Sequence, residues 1–310
     1  MKSVESTVMT TAVADCLPLS LSWHIADFPI ANLPLAQHQR LALGAAPLSI
    51  HPHAWLAPQE VADFLASGQA VLADARATAL AWRGAAPDPS GGVVVATSSW
   101  VIRYPWDLLR ANEAHVAALR DNRIEGAIHP AAVIEGVLQL GAGSRVLPGV
   151  FIEGNVVIGS NCKIGPNCYI RGNTSIGDGC HIGQSVEIKN CLILSQTNVG
   201  HLSYVGDSVL GAKVNFGAGT TTSNLRHDGK NHCSMVKGVL TDTGRRKFGT
   251  IVGDRVHTGI NTSIYPGRKL WPGVTTRPGQ IVQHDLEGDS AAPLFEPDLA
   301  AADPERVNFI

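Results

Sequence analysis

An aliphatic residue returns at every sixth position from Ile128: Ile128, Ile134, Leu140, Val146, Ile152, Ile158, Ile164, Ile170, Ile176, Ile182, Ile188 and Leu194. If such residues fill roughly a quarter of an ordinary chain, twelve in phase is on the order of a one-in-ten-million accident, so the segment is an internal repeat. A small residue recurs four positions later, as Ser144, Val150, Val156, Cys162, Cys168, Thr174, Cys180 and Val186. Period six does not keep one face of a 3.6-residue helix, so a helical reading fails. Short strands joined by turns fit instead, with one large and one small side chain per six residues pointing inward and Gly, Asn and Asp carrying the turns. Coils of this kind stack about 4.8 Å apart, and none buries its apolar face alone. The beat loses one residue between Leu194 and Val199, passes through Val205, Leu210 and Phe216, and resumes as Val252, Thr258, Ile264, Leu270, Thr276 and Val282. The pattern predicts a mainly β solenoid over residues 127–285, with an insert at 221–249. The slip predicts that "SQTNV" bulges and turns His201 off the flat wall, as functional loops on rigid scaffolds do.

Residues 1–126 carry other periods. "PQEVADFLASGQAVLADARATALAWRG" reads as a helix with strand-like pieces, "GGVVVATSSWVIRYP" as a strand, and "PWDLLRANEAHVAALRDN" as a helix opened by Pro105 at its first position. They predict a small α/β domain over 1–126. It contains neither G-x-G-x-x-G nor G-x4-G-K-[ST], so no phosphate loop of either kind is expected there. The Pro- and Ala-bearing stretch 286–310 reads as a wrapping or flexible tail.

Composition narrows the function. The 310 residues carry a net charge of −2, with 16% charged residues and 32 Gly, which suits a turn-rich β protein and argues against nucleic acid or an anionic membrane as a partner. No apolar run approaches the roughly 18 residues of a membrane span. The opening "MKSVESTVMTTAVADCLPLSLSW" has one Lys and interrupted apolar residues, so no cleaved signal is expected. Three of the six cysteines, Cys162, Cys168 and Cys180, take the small inward position. They read as buried thiols in a reducing cytoplasm, and their spacing is not a zinc pattern.

Two segments carry more than the repeat. "GHLSYVGD" and "VNFGAGTTTSN", preceded by "YIRGN" and "VEIKN", resemble the acetyltransferase half of the bifunctional N-acetylglucosamine-1-phosphate uridyltransferase/glucosamine-1-phosphate N-acetyltransferase family, within the left-handed parallel β-helix acyltransferases. "TGRRKFG" in the insert is similar to archaeal sugar-phosphate nucleotidyltransferases with an acetyltransferase tail. The resemblance covers residues 100 to 285. It implies the left hand of the solenoid, a homotrimer with sites between neighbouring subunits, and acetyl-CoA as co-substrate with no metal required for transfer.

By matching positions the resemblance implies that His201 is the catalytic base and that Arg171 and Lys189 hold the sugar phosphate beside Glu187. Tyr204, Asn215 and Asn224 would contact the amino sugar, Asn224 also reaching the acetyl group. Ala218, Ile260 and Pro278 would face the coenzyme, although the latter two replace smaller residues and the family's C-terminal arginine segment has no counterpart. The nucleotidyltransferase half's Gly-rich loop is missing, so UTP-dependent transfer is not expected, and residues 1–126 are read as a truncated remnant of that half.

The chemistry agrees with these roles. Acetyl transfer to an amine needs a base as the nitrogen attacks the thioester, and histidine titrates near neutrality. Backbone amides of "FGAGT" are candidates to stabilise the oxyanion, and an anomeric phosphate suits an Arg fork beside a Lys point charge. Arg171 and Lys189 stand eighteen residues apart, one turn of a three-sided coil, which stacks them on one edge. The expected activity is N-acetylation of an amino-sugar 1-phosphate, glucosamine-1-phosphate first and galactosamine-1-phosphate second, in cytoplasmic nucleotide-sugar biosynthesis. Two alternatives stand beside it. One is a non-catalytic sugar-phosphate or nucleotide-sugar binding protein. The other is a zinc lyase like the γ-type carbonic anhydrases, for which His227 and His232 have the five-residue spacing. The blander readings are a solvated His201, a surface Arg171, turn asparagines at 215 and 224, and a solvated hairpin in the basic insert.

Overall fold

The computed structural model describes residues 15–288. From Arg123 onward the chain winds as a three-sided parallel β-solenoid whose walls have seven, eight and eight strands. The first wall contains His181–Gln184, Asn198–His201, Asn215–Phe216 and His257–Thr258; the second contains Tyr169–Arg171, Glu187–Lys189, Tyr204–Gly206, Thr221–Thr222 and Ser263–Ile264; the third contains Val156–Ile158, Thr174–Ile176, Leu192–Ile193, Val209–Leu210 and Ile251–Val252. Equivalent aliphatics stack in register, as Ile152, Ile170, Ile188 and Val205 do on the second wall. Together they form one continuous buried cluster along the axis. Thr221–Thr222 is still a wall strand, so the excursion leaves the solenoid only after Thr222. It forms a hairpin of Cys233–Val236 and Val239–Asp242.

The walls differ in their outer faces. On the first, Arg145, Lys163, Asn198, Asn215 and His257 alternate with buried aliphatics and are exposed, the signature of a sheet with one wet side. The third wall reads "VVI", "LIL" and "SVL", without alternation, because both its faces are buried. Its outer residues Leu192, Val209 and Ile251 pack against Trp106, Leu108 and Leu109 of a helix from the N-terminal unit and against Phe248.

The rhythm slips in a different place from the one expected. Ile176 pairs with Ile193, seventeen residues on, and Ile193 pairs with Leu210, again seventeen. Ile193 is therefore the inward residue, and Leu194 points out into the cluster shared with the N-terminal unit. The corner entering the third wall is Gly-Asn at 154–155 and 172–173, but the single residues Asn190 and Asp207 in the next two coils. Both have left-handed φ, 53° and 50°, which Asn and Asp tolerate better than most side chains. The segment Ser195–Val199 follows the normal ladder, with Thr197 fully buried, so the expected bulge is absent. The shift also places Cys191 at the small inward position, and all six cysteines are free thiols.

The N-terminal unit holds three helices, α1 (Leu35–Leu43), α2 (Pro58–Ser67) and α3 (Pro105–Ala117), and a four-stranded sheet. "GGVVVATSSWVIRYP" splits into Val93–Val95 and Trp100–Val101, which join different sheets. Pro105 opens α3, and the Asp107 carboxylate accepts from the backbone amides of Arg103 and Tyr104 at 2.9 Å, satisfying N–H groups just ahead of the helix. Of the tail read at 286–310, residues 289–310 lie outside the described residues, as do 1–14.

Asn112 of α3, fully buried, docks the unit to the third wall. Its Oδ1 accepts from Ser175 Oγ at 2.6 Å and Ala31 N at 3.2 Å, and its Nδ2 donates to Asn173 O at 3.2 Å. Replacing it by leucine strands these partners in an apolar setting, each at about 1–3 kcal/mol. Asn112→Leu is expected to lower the urea midpoint markedly, and a midpoint equal to wild type contradicts this docking role.

Candidate functional site

The site residues occupy two adjoining walls and the corner between them. On the second wall Arg171 and Lys189 are register partners. The Arg171 guanidinium donates through Nε and Nη2 to Glu187 Oε1 at 2.8 and 2.6 Å, with both side chains about one-third exposed (35% and 32%). Its Nη1 has no partner among the described residues. Glu187 in turn stacks on Tyr204 in the next coil. Lys189, more deeply set, donates from Nζ to Asp207 Oδ2 at 2.8 Å. Asn224 lies just beyond the second-wall strand Thr221–Thr222, and its Nδ2 donates to Tyr204 Oη at 2.9 Å and Asp207 Oδ2 at 2.6 Å. Burial, with the charges of Asp207 and Glu187 beside it, pushes the Tyr204 phenol up, so it stays a protonated donor at neutral pH.

The corner between the first and second walls gathers the remaining candidates. Gln184 and His201 are register partners. Above them Gly219 N donates to His201 O, Asn261 N to Ala218 O and Gly279 N to Ile260 O. His201, Ala218, Ile260 and Pro278 therefore form one vertical ladder, with the imidazole at its foot. His201 is exposed, and its ring makes no hydrogen bond among the described residues. Gly217, Gly219 and Thr220 spend their amides on Thr258 O, His201 O and Gly217 O, while the Ala218 amide has no partner among the described residues. It is the one N–H of the "GAGT" stretch free for a ligand carbonyl. Asn215 is not brought to the second wall. It stands exposed on the first, between Asn198 and His257.

His227 and His232 diverge. The first lines a hollow of about 540 Å³ with Tyr265 and Leu225; the second is buried, its Nε2 at 3.0 Å from Asn224 O. No group of three or more His, Cys, Asp or Glu suited to a metal ion occurs among the described residues. Several basic groups of the insert are already paired, Arg226 with Asp228 and Arg245 with Glu113 of α3.

The family described as the GMPPB C-terminal domain matches residues 152–267, the coils that carry the candidate residues from Arg171 to Ile260 but not Pro278. A bifunctional sugar-1-phosphate nucleotidylyltransferase/acetyltransferase of Sulfurisphaera tokodaii is 47% identical over 102 residues, 33% of this chain and 25% of that one. Over that stretch the chain is similar to a bifunctional enzyme. The Bifunctional protein GlmU of Methanococcus maripaludis is 49% identical over 189 residues, covering 61% of this chain and 46% of its own. That of Methanocaldococcus jannaschii is 38% identical over 186 residues, 60% and 45%. The chain thus spans less than half the length of these bifunctional relatives.

Three polar residues around the second wall were missed by sequence reasoning: Asp207, Asn190 and Glu113. The signal for Asn190 and Asp207 lay in the two five-residue steps of the beat, Ile188 to Ile193 and Val205 to Leu210, where a Gly-Asn corner shortened to one residue; Glu113, on α3, left none.

Two of the arginine–carboxylate pairs, Arg171–Glu187 and Arg245–Glu113, should behave differently. Arg171–Glu187 is partly solvated, so Glu187→Gln is expected to change stability by less than about 1 kcal/mol. Arg245 is 17% exposed, and Glu113→Ala, which leaves it unpaired, is expected to cost about 3–5 kcal/mol. Equal effects in urea denaturation would show that Arg171 is as structurally committed as Arg245.

Proposed function

We propose that the protein is an acetyl-CoA-dependent N-acetyltransferase for an amino-sugar 1-phosphate, glucosamine-1-phosphate first. One observation carries the reading. The exposed, unbonded imidazole of His201 sits at the foot of the ladder that continues through Ala218, Ile260 and Pro278, at the corner beside the wall of Arg171 and Lys189. A thioester laid along the ladder ends at the base, and a phosphate drawn to the two cations brings its sugar amine to the same corner. The Ala218 amide supplies a donor for the oxyanion, and His201 takes the proton released when the amine attacks. The names of the relatives support the same chemistry.

Asn215 lies on the first wall, so a substrate on the second wall of the same chain is not placed to meet it. A homotrimer, with the first wall of one solenoid facing the second wall of its neighbour, would unite Asn215 with the cations, and cyclic symmetry repeats such a site at each interface. The zinc alternative has less support, since His227 and His232 point to different surroundings and the Nε2 of His232 is engaged. A sugar-phosphate binding protein without turnover shares the wall but has no use for a free base beneath the ladder.

The test is free-thiol release from acetyl-CoA with glucosamine-1-phosphate, galactosamine-1-phosphate and unphosphorylated glucosamine. Turnover is expected with a 1-phosphate, falling about 10²- to 10⁴-fold in His201→Ala as a lost general base implies. A folded wild type that acetylates none of the amines refutes the enzyme reading and leaves the binding protein.

A further inference from the structure

Asp207 makes more polar contacts around the second wall than any candidate contact residue, yet it is 3% exposed and both its carboxylate oxygens are already engaged by the protein. Its Oδ2 accepts from Lys189 Nζ and Asn224 Nδ2, and its Oδ1 from Asn190 Nδ2 at 3.0 Å. A carboxylate paired with an ammonium only accepts hydrogen bonds. The NH2 end of each neighbouring amide must therefore face it. Asn224 spends one N–H on Asp207 and the other on Tyr204 Oη. Its Oδ1 is left as an acceptor without a partner among the described residues, and Tyr204, already accepting, has its own O–H to donate. The wall consequently offers an acceptor, a neutral donor and a cation in a fixed pattern.

The same carboxylate is tied to the N-terminal unit. Asn190 divides its two N–H groups between Asp207 Oδ1 and Glu113 Oε1 of α3. Arg245 at the foot of the hairpin holds Glu113, with Nη1 to Oε2 at 2.9 Å and Nη2 against Oε1. A continuous run of charge-assisted bonds thus joins the hairpin, α3, the shortened corners and the wall. Such bonds are stronger and more directional than neutral ones.

We infer that Asp207 is the positioning residue of the substrate wall, setting the Lys189 ammonium and the polarity of Asn224, and that Glu113 acts on it through Asn190, making the N-terminal unit part of the site. The inference rests on the amino-sugar phosphate reading. An amine or hydroxyl donor meets Asn224 Oδ1, an oxygen acceptor meets Tyr204, and the phosphate meets Lys189. If Asn224 were reversed, its NH2 would confront a substrate amine as donor against donor.

The full chain tests this with Asp207→Asn, nearly isosteric but able to donate as well as accept, and with Asn190→Gly. The glycine adopts the left-handed corner without strain and deletes the one amide that joins Asp207 to Glu113, leaving the Lys189 and Asn224 bonds to Asp207 in place. Asp207→Asn is expected to raise KM for the amino-sugar phosphate about 10- to 100-fold, the range for lost orienting bonds, while KM for acetyl-CoA stays within about twofold. Asn190→Gly is expected to shift the same constant in the same direction by about 3- to 10-fold, and keeps the question open to test if Asp207→Asn does not fold. Calorimetric titration with the sugar phosphate alone should show matching losses. Variants with wild-type KM, or with a lowered thermal midpoint and unchanged sugar-phosphate affinity, overturn the inference and leave Asp207 a structural residue. A wild type that neither binds nor acetylates amino-sugar phosphates overturns the functional reading instead.

Discussion

Everything in the molecule depends on the register in which one coil stacks on the next. A single coil cannot bury its inward aliphatics, so each gains its stability from the coil below and the coil above. The inward column from Ile152 through Val205 fixes that stacking. Because side chains alternate, it also fixes which residues face outward at the same height, and so which functional groups meet. Arg171 over Lys189, and His201 beneath Ala218 and Ile260, are consequences of axial packing.

The solenoid was legible because its period is dictated by the covalent geometry of a three-sided coil, which leaves the same residue classes at the same phase. Two things blurred it. At Asn190 and Asp207 the coil shortens to seventeen residues, and a strict count of six then selects Leu194, an apolar residue one position late, in place of Ile193. The short strands of the third wall also gave little warning that a second layer covers it, since runs such as "VVI" and "LIL" are interrupted by "TSI" and "SVL" in neighbouring coils. Helix α3 of the N-terminal unit was readable from Pro105 onward. Its docking through Asn112 was not, because a buried asparagine has no pattern until its partners are known.

The proposed site was legible residue by residue only where the motif carries the chemistry. The spacing of Arg171 and Lys189 reports their stacking, and "GHLSYVGD" singles out His201 and Tyr204. What holds them in place was hidden, because Glu113 is 94 positions before Asp207 and reaches it through one amide. The placement of Asn215 on the first wall is equally a matter of three dimensions, and it makes a single chain an incomplete site under the proposed chemistry. The shortened corners therefore have a chemical consequence, since Asn190 and Asp207, each standing alone at its corner, are bonded to each other, and Asp207 also to Lys189 and Asn224.

A crystal structure of the protein with glucosamine-1-phosphate and coenzyme A tests the central claim most directly. The account predicts the phosphate between Arg171 and Lys189, the amine within hydrogen-bond reach of His201 and Asn224 Oδ1, and the coenzyme thiol beside Ala218 on the ladder. Sugar phosphate bound away from the second wall, or coenzyme on any surface other than the corner of Ala218, Ile260 and Pro278, would contradict it.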